Sequence, residues 1–300
     1  MICMKHLLRP ILLLLAVAGP LFADHDAHSV NIESIQVADN IYMLTGQGGN
    51  IGLAIDDNYT LLIDDQFAPL SGAIQAEIAK LTGKPIMYLL NTHFHYDHTD
   101  GNESFGKSVD VIVAHENVRK KLEKGTIIQP FGKIMEPYPE SALPALTYSE
   151  KLSIHQSNES IELLHFSNAH TDGDTAVHFK DSNVVHAGDI LFSGMYPFID
   201  VSNGGDVHGY IAAQEALLAL TDDQTKIIPG HGPLSNKVDM ARDLAILKEI
   251  VAVVEAELAA GKTPEEISVD AKILKYEPSH GQGWLDTETF ISILCSGLSE

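Results

Sequence analysis

Three histidines and an aspartate fall within one short stretch of this chain, Asn91-Thr92-His93-Phe94-His95-Tyr96-Asp97-His98. The pattern is H-x-H-x-D-H. Imidazole nitrogens and carboxylate oxygens are the atoms that zinc and related cations take as ligands, at roughly 2.0–2.2 Å. His93 and His95 are two apart, so on extended backbone they point the same way and can grip one cation together. Asp97 and His98 come where the chain turns and can face a second cation beside the first. A solvated polar loop is the bland alternative. Four such residue types at fixed spacing rarely coincide by chance, which counts against it.

The apolar run at 86–90 reads as a buried strand, so the cluster sits where the chain leaves a sheet. Three further candidates share that context. His170 lies in Asn168-Ala169-His170-Thr171-Asp172-Gly173-Asp174, Asp189 in His186-Ala187-Gly188-Asp189-Ile190-Leu191-Phe192, and His231 in Ile227-Ile228-Pro229-Gly230-His231-Gly232-Pro233. Each follows an apolar or alternating run and stands beside glycine, the mark of a strand end followed by a turn.

The ordered set H-x-H-x-D-H, A-H-T-D-G-D, G-D and G-H-G resembles the metallo-β-lactamase superfamily of metal-dependent hydrolases, over about residues 30–235. The resemblance implies that His93, His95 and His170 hold one zinc, that Asp97, His98 and His231 hold the other, and that Asp189 bridges them. Iron or manganese could stand in for the two zincs. It implies an α/β (α+β) fold, a four-layer αββα sandwich with the metals at one edge between the sheets. The implied activity is hydrolysis of a β-lactam, lactone or related ester or amide by metal-activated water. Asp97 would act as the catalytic carboxylate, and the Thr92 and Thr171 hydroxyls would support the ligands. Asp64, at a strand end, would do the same or else be an exposed turn carboxylate. Zinc β-lactamases commonly carry a cysteine where this chain has Asp189 and lack the histidine matching His98. The Asp189-plus-His98 set resembles glyoxalase II and lactonases more closely. A glyoxalase II-like thioesterase and a mono-iron oxidoreductase like the persulfide dioxygenases are therefore alternatives, as is a metal-binding protein without turnover.

The remaining chain must position these groups. Short strands are expected at 35–37, 41–44, 51–55 and 60–63, with turn residues between them, as a run of adjacent antiparallel strands. A helix spans 69–81, where Pro69 suits a start and Gly83 an end. A strand at 109–114 and a helix at 115–124 follow, with His115 a cap or surface residue. Residues 125–149 lack a period and hold four prolines, which points to an irregular lid or substrate wall, or to a structural loop. Phe131, Tyr138 and Tyr148 could offer aromatic contacts there. Strands at 152–155, 161–166, 176–179, 184–186 and 226–228 and helices at 206–220, 237–260, 263 onward and 286–298 complete the reading. Asp206 is a cap, and Thr263 opens a capping box. His155, His165, His178 and His186 read as exposed or internally satisfied, not as ligands.

Residues 1–23 have the layout of a secretory signal: Lys5 and Arg9, an apolar run at 11–18, then Leu21-Phe22-Ala23. The expectation is a periplasmic or secreted protein without a stable membrane anchor. A polar leader with His25 and His28 spans 24–31, and a single domain 32–300. Net charge is −22, from 19 basic and 41 acidic residues. Such a surface repels nucleic acid and anionic membrane, and the resemblance implies a small-molecule substrate. Of the two cysteines, Cys3 leaves with the signal, and Cys295 sits in an apolar helical pattern as a core residue.

Overall fold

The computed structural model describes residues 30–299. The proposed signal and most of the leader, with His25 and His28, lie outside the described residues. The chain runs through β1 (Glu33–Ala38), β2 (Ile41–Thr45), β3 (Ile51–Ile55), β4 (Thr60–Ile63), α1 (Ser71–Leu81), β5 (Ile86–Asn91), α2 (Tyr96–Thr99), α3 (Asn102–Phe105), β6 (Val111–His115) and α4 (Glu116–Lys124). Next come β7 (Thr126–Ile128), β8 (Lys133–Met135), β9 (Leu146–Tyr148), β10 (Lys151–His155), β11 (Ser160–Phe166), β12 (Asp174–Phe179) and β13 (Val184–Phe192). Then follow α5 (Val207–Ala219), β14 (Lys226–His231), β15 (Ser235–Asn236) and α6 (Lys237–Ala259). Four C-terminal helices close the chain: α7 (Pro264–Ser268), α8 (Ala271–Leu274), α9 (Glu277–His280) and α10 (Thr287–Leu298).

Two sheets form. One has the order β1-β2-β3-β4-β5-β6-β9, the other β10-β11-β12-β13-β14-β15. Alternation along each strand decides what faces what. Leu61, Ile63, Leu90 and Val113 of the first sheet meet Val177, Phe179, Val184 and Ile228 of the second. Their neighbours Leu62, Leu89 and Ile112 point outward onto Ile74 and Ile78 of α1. On the other side Val185 and Ile227 point out onto Ala213 and Leu217 of α5 and Met240 of α6. Each sheet thus buries both faces, and the order of layers is helix, sheet, sheet, helix, as expected. The C-terminal helices add a cluster in which Phe290, Ile291 and Leu294 pack with Tyr196 and Phe198. Cys295 is buried in that cluster.

The first four strands are antiparallel neighbours. After α1 the pairing changes: β4 with β5, β5 with β6, and β13 with β14 are parallel. Parallel strands bring their carboxyl ends to one edge, where α/β folds place ligands. Asp64 follows β4, His93 to His98 follow β5, Asp189 lies on β13, and His231 ends β14.

Three expectations need correction. Residues 125–149 are not irregular throughout: β7 and β8 form a hairpin, and β9 becomes an edge strand of the first sheet. Strands of three residues are too short to show a period. Tyr148 is also not an exposed contact. Its buried hydroxyl lies 2.7 Å from Thr175 Oγ1, tying β9 to β12, and burial pushes its phenol well above the usual range. In addition β13 runs to Phe192, well past the expected end at 186. Gly188, at φ +52°, takes the left-handed conformation beside an irregularity in register, so the strand continues past the glycine.

Candidate metal centre

β5 ends at Asn91, and the chain bends so that His95 precedes the single turn of α2. The side chains of that turn converge with those of three distant segments. One set of ligand-type atoms comes from His93, His95, His170 and Asp189, and a second from Asp97, His98 and His231. Within each set the atoms lie within 4.8 Å of one another. Asp189 faces both sets. Its Oδ2 is 3.7 Å from His93 Nε2, 3.5 Å from His170 Nε2 and 3.4 Å from His231 Nε2, and its Oδ1 is 3.1 Å from His98 Nε2. Asp97 Oδ2 lies 3.3 Å from His231 Nε2.

Close backbone approach makes this convergence possible. A Cβ on Gly230 would lie 1.9 Å from Asp189 Oδ1, and one on Gly49 would lie 2.1 Å from His98 Cε1. Only glycine leaves room at either place. Asn50 fixes the loop that bears His231, donating from Nδ2 to the Pro229 and Gly232 carbonyls at 3.0 and 2.9 Å.

Four of the five histidines turn one nitrogen inward and commit the other to the protein, which sets the tautomer. His98 Nδ1 donates to Asp64 Oδ2 at 2.8 Å. His170 Nδ1 donates to the Phe198 carbonyl at 2.7 Å, and His95 Nε2 donates to Asp200 Oδ2 at 3.0 Å. His93 Nδ1 donates to Thr92 Oγ1 at 3.1 Å, which in turn donates to Asp64 Oδ2 at 2.7 Å. Inward lone pairs then meet with nothing between them. His95 Nδ1 and His170 Nε2 are 2.8 Å apart. His93 Nε2 is buried without any partner, and Asp189 Oδ1 lacks hydrogen-bonding geometry despite its short distance to His98. Facing lone pairs and an orphaned nitrogen are costly in a dry pocket. A cation with nitrogen and oxygen ligands fits this donor set, and the residues present match one.

Charge separates the two sets. Burial holds the His93 imidazole well below its usual range and His170 down at about 4. Both are neutral and ready to coordinate. In the other set burial acts against charge on His98 and His231, but the Asp189 and Asp97 carboxylates overcome it. His98 is raised well above the usual value and His231 to about 9. In the metal-free protein the charged His231 thus stabilises the fold fully below 6.5, and that contribution is lost as pH rises through about 9. A cation entering the second set must displace protons, while one entering the first need not. Zinc titrated into metal-free protein near neutral pH is expected to bind in two phases, the second releasing about two protons. Calorimetry in two buffers of different ionisation enthalpy measures this; a second phase indifferent to the buffer contradicts it.

All seven expected ligand residues converge. Of the supporting residues, Asp64 and Thr92 touch the histidines as described, and Asp64 is buried, not an exposed turn carboxylate. Asp64 adopts φ +61°, and its Oδ1 also accepts from the Thr92 backbone at 2.8 Å. Thr171 is a correction. Its hydroxyl donates to Asp174 Oδ1 at 2.5 Å and reaches no ligand histidine, because the turn after His170 closes on itself. Asp200, which holds His95, is missed by local reading. It acts across the fold, and its signal was only an aspartate closing the run Tyr196-Pro197-Phe198-Ile199. His186 is buried and satisfied by the Asn50 carbonyl, and His115 caps α4.

Comparison with known proteins agrees with this architecture. The family model for the metallo-beta-lactamase superfamily matches residues 44–231. The chain is 25% identical over 233 residues to the 2,4-dinitroanisole O-demethylase subunit alpha of Nocardioides sp. (strain JS1661), covering 75% of this chain and 65% of that one, so just under two thirds of the relative's length is spanned. It is 28% identical over 188 residues to the hydroxyacylglutathione hydrolase of Pelagibacter ubique (strain HTCC1062), covering 59% and 67%. Among solved structures, the DIM-1 metallo-beta-lactamase superposes with a TM-score of 0.59 at 15% identity, over 73% of this chain and 98% of that one, a likeness of fold. Superfamily members are typically hydrolases, and the His/Asp cluster suggests use of a divalent metal. With the family model covering more than half its length and the fold reproduced, the chain belongs to the metallo-beta-lactamase superfamily.

Proposed function

We propose that this protein is an exported hydrolase that binds two zinc ions and cleaves a small carbonyl compound, such as a β-lactam, lactone, ester or thioester. The observation that carries the reading is the pair of adjacent ligand sets around Asp189, with lone pairs turned inward. His93, His95 and His170 would hold one cation, Asp97, His98 and His231 the other, and Asp189 would lie between. Such a pair supplies an activated water and polarises a carbonyl.

The protein's own groups do the rest. His231 and Asp97 are the members of the cluster open to solvent, with side chains 18% and 22% exposed. Substrate therefore approaches on their side. Asp97, held down at about 2 despite burial by the charges of His98 and His231, is a carboxylate placed to orient a nucleophile and move a proton. Asp64, Thr92 and Asp200 hold the imidazoles in the tautomers that coordination needs.

The second ligand set favours two cations over a single iron, since one iron leaves Asp97, His98 and His231 without a shared role. Hydroxyacylglutathione, named in one relative, is an anionic thioester. From α6 onward Arg242, Lys248, Lys262 and Lys275 are each paired with an acidic partner, and Lys237 donates to the Thr221 carbonyl, which leaves Lys272 and weighs against a basic anion-binding cluster. Uncharged substrates suit the acidic surface better. The signal-like start at 1–23 supports a periplasmic or secreted location.

Initial rates on a chromogenic β-lactam, a lactone and a thioester test the proposal, with zinc-loaded wild type against His95→Ala. At least one substrate is expected to turn over at about 10³ times the variant's rate. Equal rates on all three would remove the carbonyl-hydrolase reading.

A further inference from the structure

An aromatic path leads from the ligand histidines to the surface. The Phe198 ring lies 5.6 Å from the His95 ring and 5.5 Å from that of His170. Phe131, at the tip of the β7–β8 hairpin, is 5.0 Å from Phe198. Trp284 is 5.1 Å from Phe131 and 5.7 Å from Phe198. Phe198 is buried, yet Trp284 is 51% exposed. The same hairpin also exposes Ile134 and Ile127. Large apolar groups left in water beside a reactive centre mark a surface that meets a ligand.

The hairpin is also tied to the site by hydrogen bonds. Thr126 Oγ1 donates to Asn203 Oδ1 at 2.7 Å, and Asn203 Nδ2 donates to the Ile127 carbonyl at 3.0 Å. Asn203 Nδ2 also donates to Asp200 Oδ2 at 2.7 Å, the oxygen that accepts from His95. On its other strand the hairpin sets the Lys133 ammonium 4.7 Å over the ring of Tyr96, between His95 and Asp97. It therefore flanks the ligand stretch in a fixed position.

We propose that Phe131 and Trp284, backed by the buried Phe198 ring, form a specificity subsite that takes a planar aromatic substituent of the substrate. The inference rests on the hydrolase reading of the adjacent centre and deepens it: the preferred substrate is an uncharged carbonyl compound bearing an aryl group. Aromatic rings stack edge or face on such a group, and an aliphatic group of the same charge gains less.

Trp284 is the chain's only tryptophan, so its emission reports the subsite without turnover. Phenylacetamide titrated into the full, zinc-loaded protein is expected to change that emission saturably, and acetamide is expected to leave it unchanged. Phe131→Ala should weaken the phenylacetamide response about tenfold, and Phe131→Leu, which keeps the packing, should weaken it as well. In turnover, Phe131→Ala should lower the ratio of kcat/KM for the S-methyl thioester of phenylacetic acid over that of acetic acid, about tenfold. Circular dichroism checks that both variants fold. A saturable response without hydrolysis of either thioester upholds the subsite and removes the hydrolase reading. Hydrolysis with no saturable response, or with a ratio unmoved in both folded variants, overturns the subsite and leaves the hydrolase reading standing.

Discussion

Asp189→Ala is expected to lower kcat/KM by about 10³-fold or more, equivalent to about 4 kcal/mol. Among the described residues Asp189 is the anion that faces both ligand sets, with His93, His170, His231 and His98 all within 3.7 Å of its oxygens. Removing it takes the shared charge from a pocket where four imidazoles converge. Breaking a buried ionic contact by deleting one partner costs about 3–5 kcal/mol. Metal retention should fall with activity, because neither set keeps its full donor count. Asp189→Asn keeps the shape and one oxygen without the charge, so its loss should be smaller. The measurement is kcat/KM on the best substrate, together with zinc content after gel filtration. An alanine variant within tenfold of wild type, at full zinc content, would show that Asp189 does not link the two sets.

The second large effect falls on a residue that touches no substrate. Asp64 accepts from the Thr92 backbone, from the Thr92 hydroxyl and from His98 Nδ1. It is buried at the end of β4 in a left-handed conformation that side chains seldom adopt. Asp64→Ala removes the acceptor that fixes the His98 tautomer and, through Thr92, that of His93. Zinc affinity is expected to drop about 10- to 100-fold. Asp64→Asn keeps an oxygen toward Thr92 and suits the left-handed backbone, so it should recover part of the loss. A merely structural role would lower the melting temperature in both variants without moving zinc affinity in the alanine variant more than in the asparagine one. Competition with a chromogenic chelator separates these outcomes. The neighbouring Asp65 has a different task. One of its oxygens accepts from the Gly101 backbone, and burial beside Asp64 pushes its carboxyl well above the usual range.

The site was legible in the sequence wherever ligands follow a strand in a compact motif. His93 to His98, His170 and His231 each stand past or at a strand end beside turn residues, and the fold brings those ends to one edge, where the interior of β13 adds Asp189. What was hidden depends on contacts between distant segments. Asp200 reaches His95 across more than a hundred residues, and Asn203 links it to the hairpin, with no local pattern to mark either. Asn50 lies in the stretch between the expected strands at 41–44 and 51–55, where nothing local marks it as the brace of the His231 loop. Thr171 looked like a support for the ligands because it follows His170, but the side chain follows the turn and satisfies Asp174.

The fold shows the same division. Strands with clean alternation, such as β10 and the start of β11, declare which residues face the other sheet: Leu152 and Ile154, and Ile161 and Leu163. The short strands β7, β8 and β9 carry too few residues for a period, so the stretch that builds the hairpin beside the site read as irregular. Being a glycine, Gly188 looks like a strand end in the sequence. In β13 it is an irregularity that lets the strand carry Asp189 into the pocket.

The most direct test of the two-cation account is elemental analysis of the protein purified gently, without chelators or added metal, followed by zinc reconstitution of the stripped protein. The account predicts two equivalents of zinc per chain after reconstitution, with zinc or another divalent cation filling the protein as purified. One equivalent of iron with little zinc, and no second equivalent taken up on reconstitution, would contradict it.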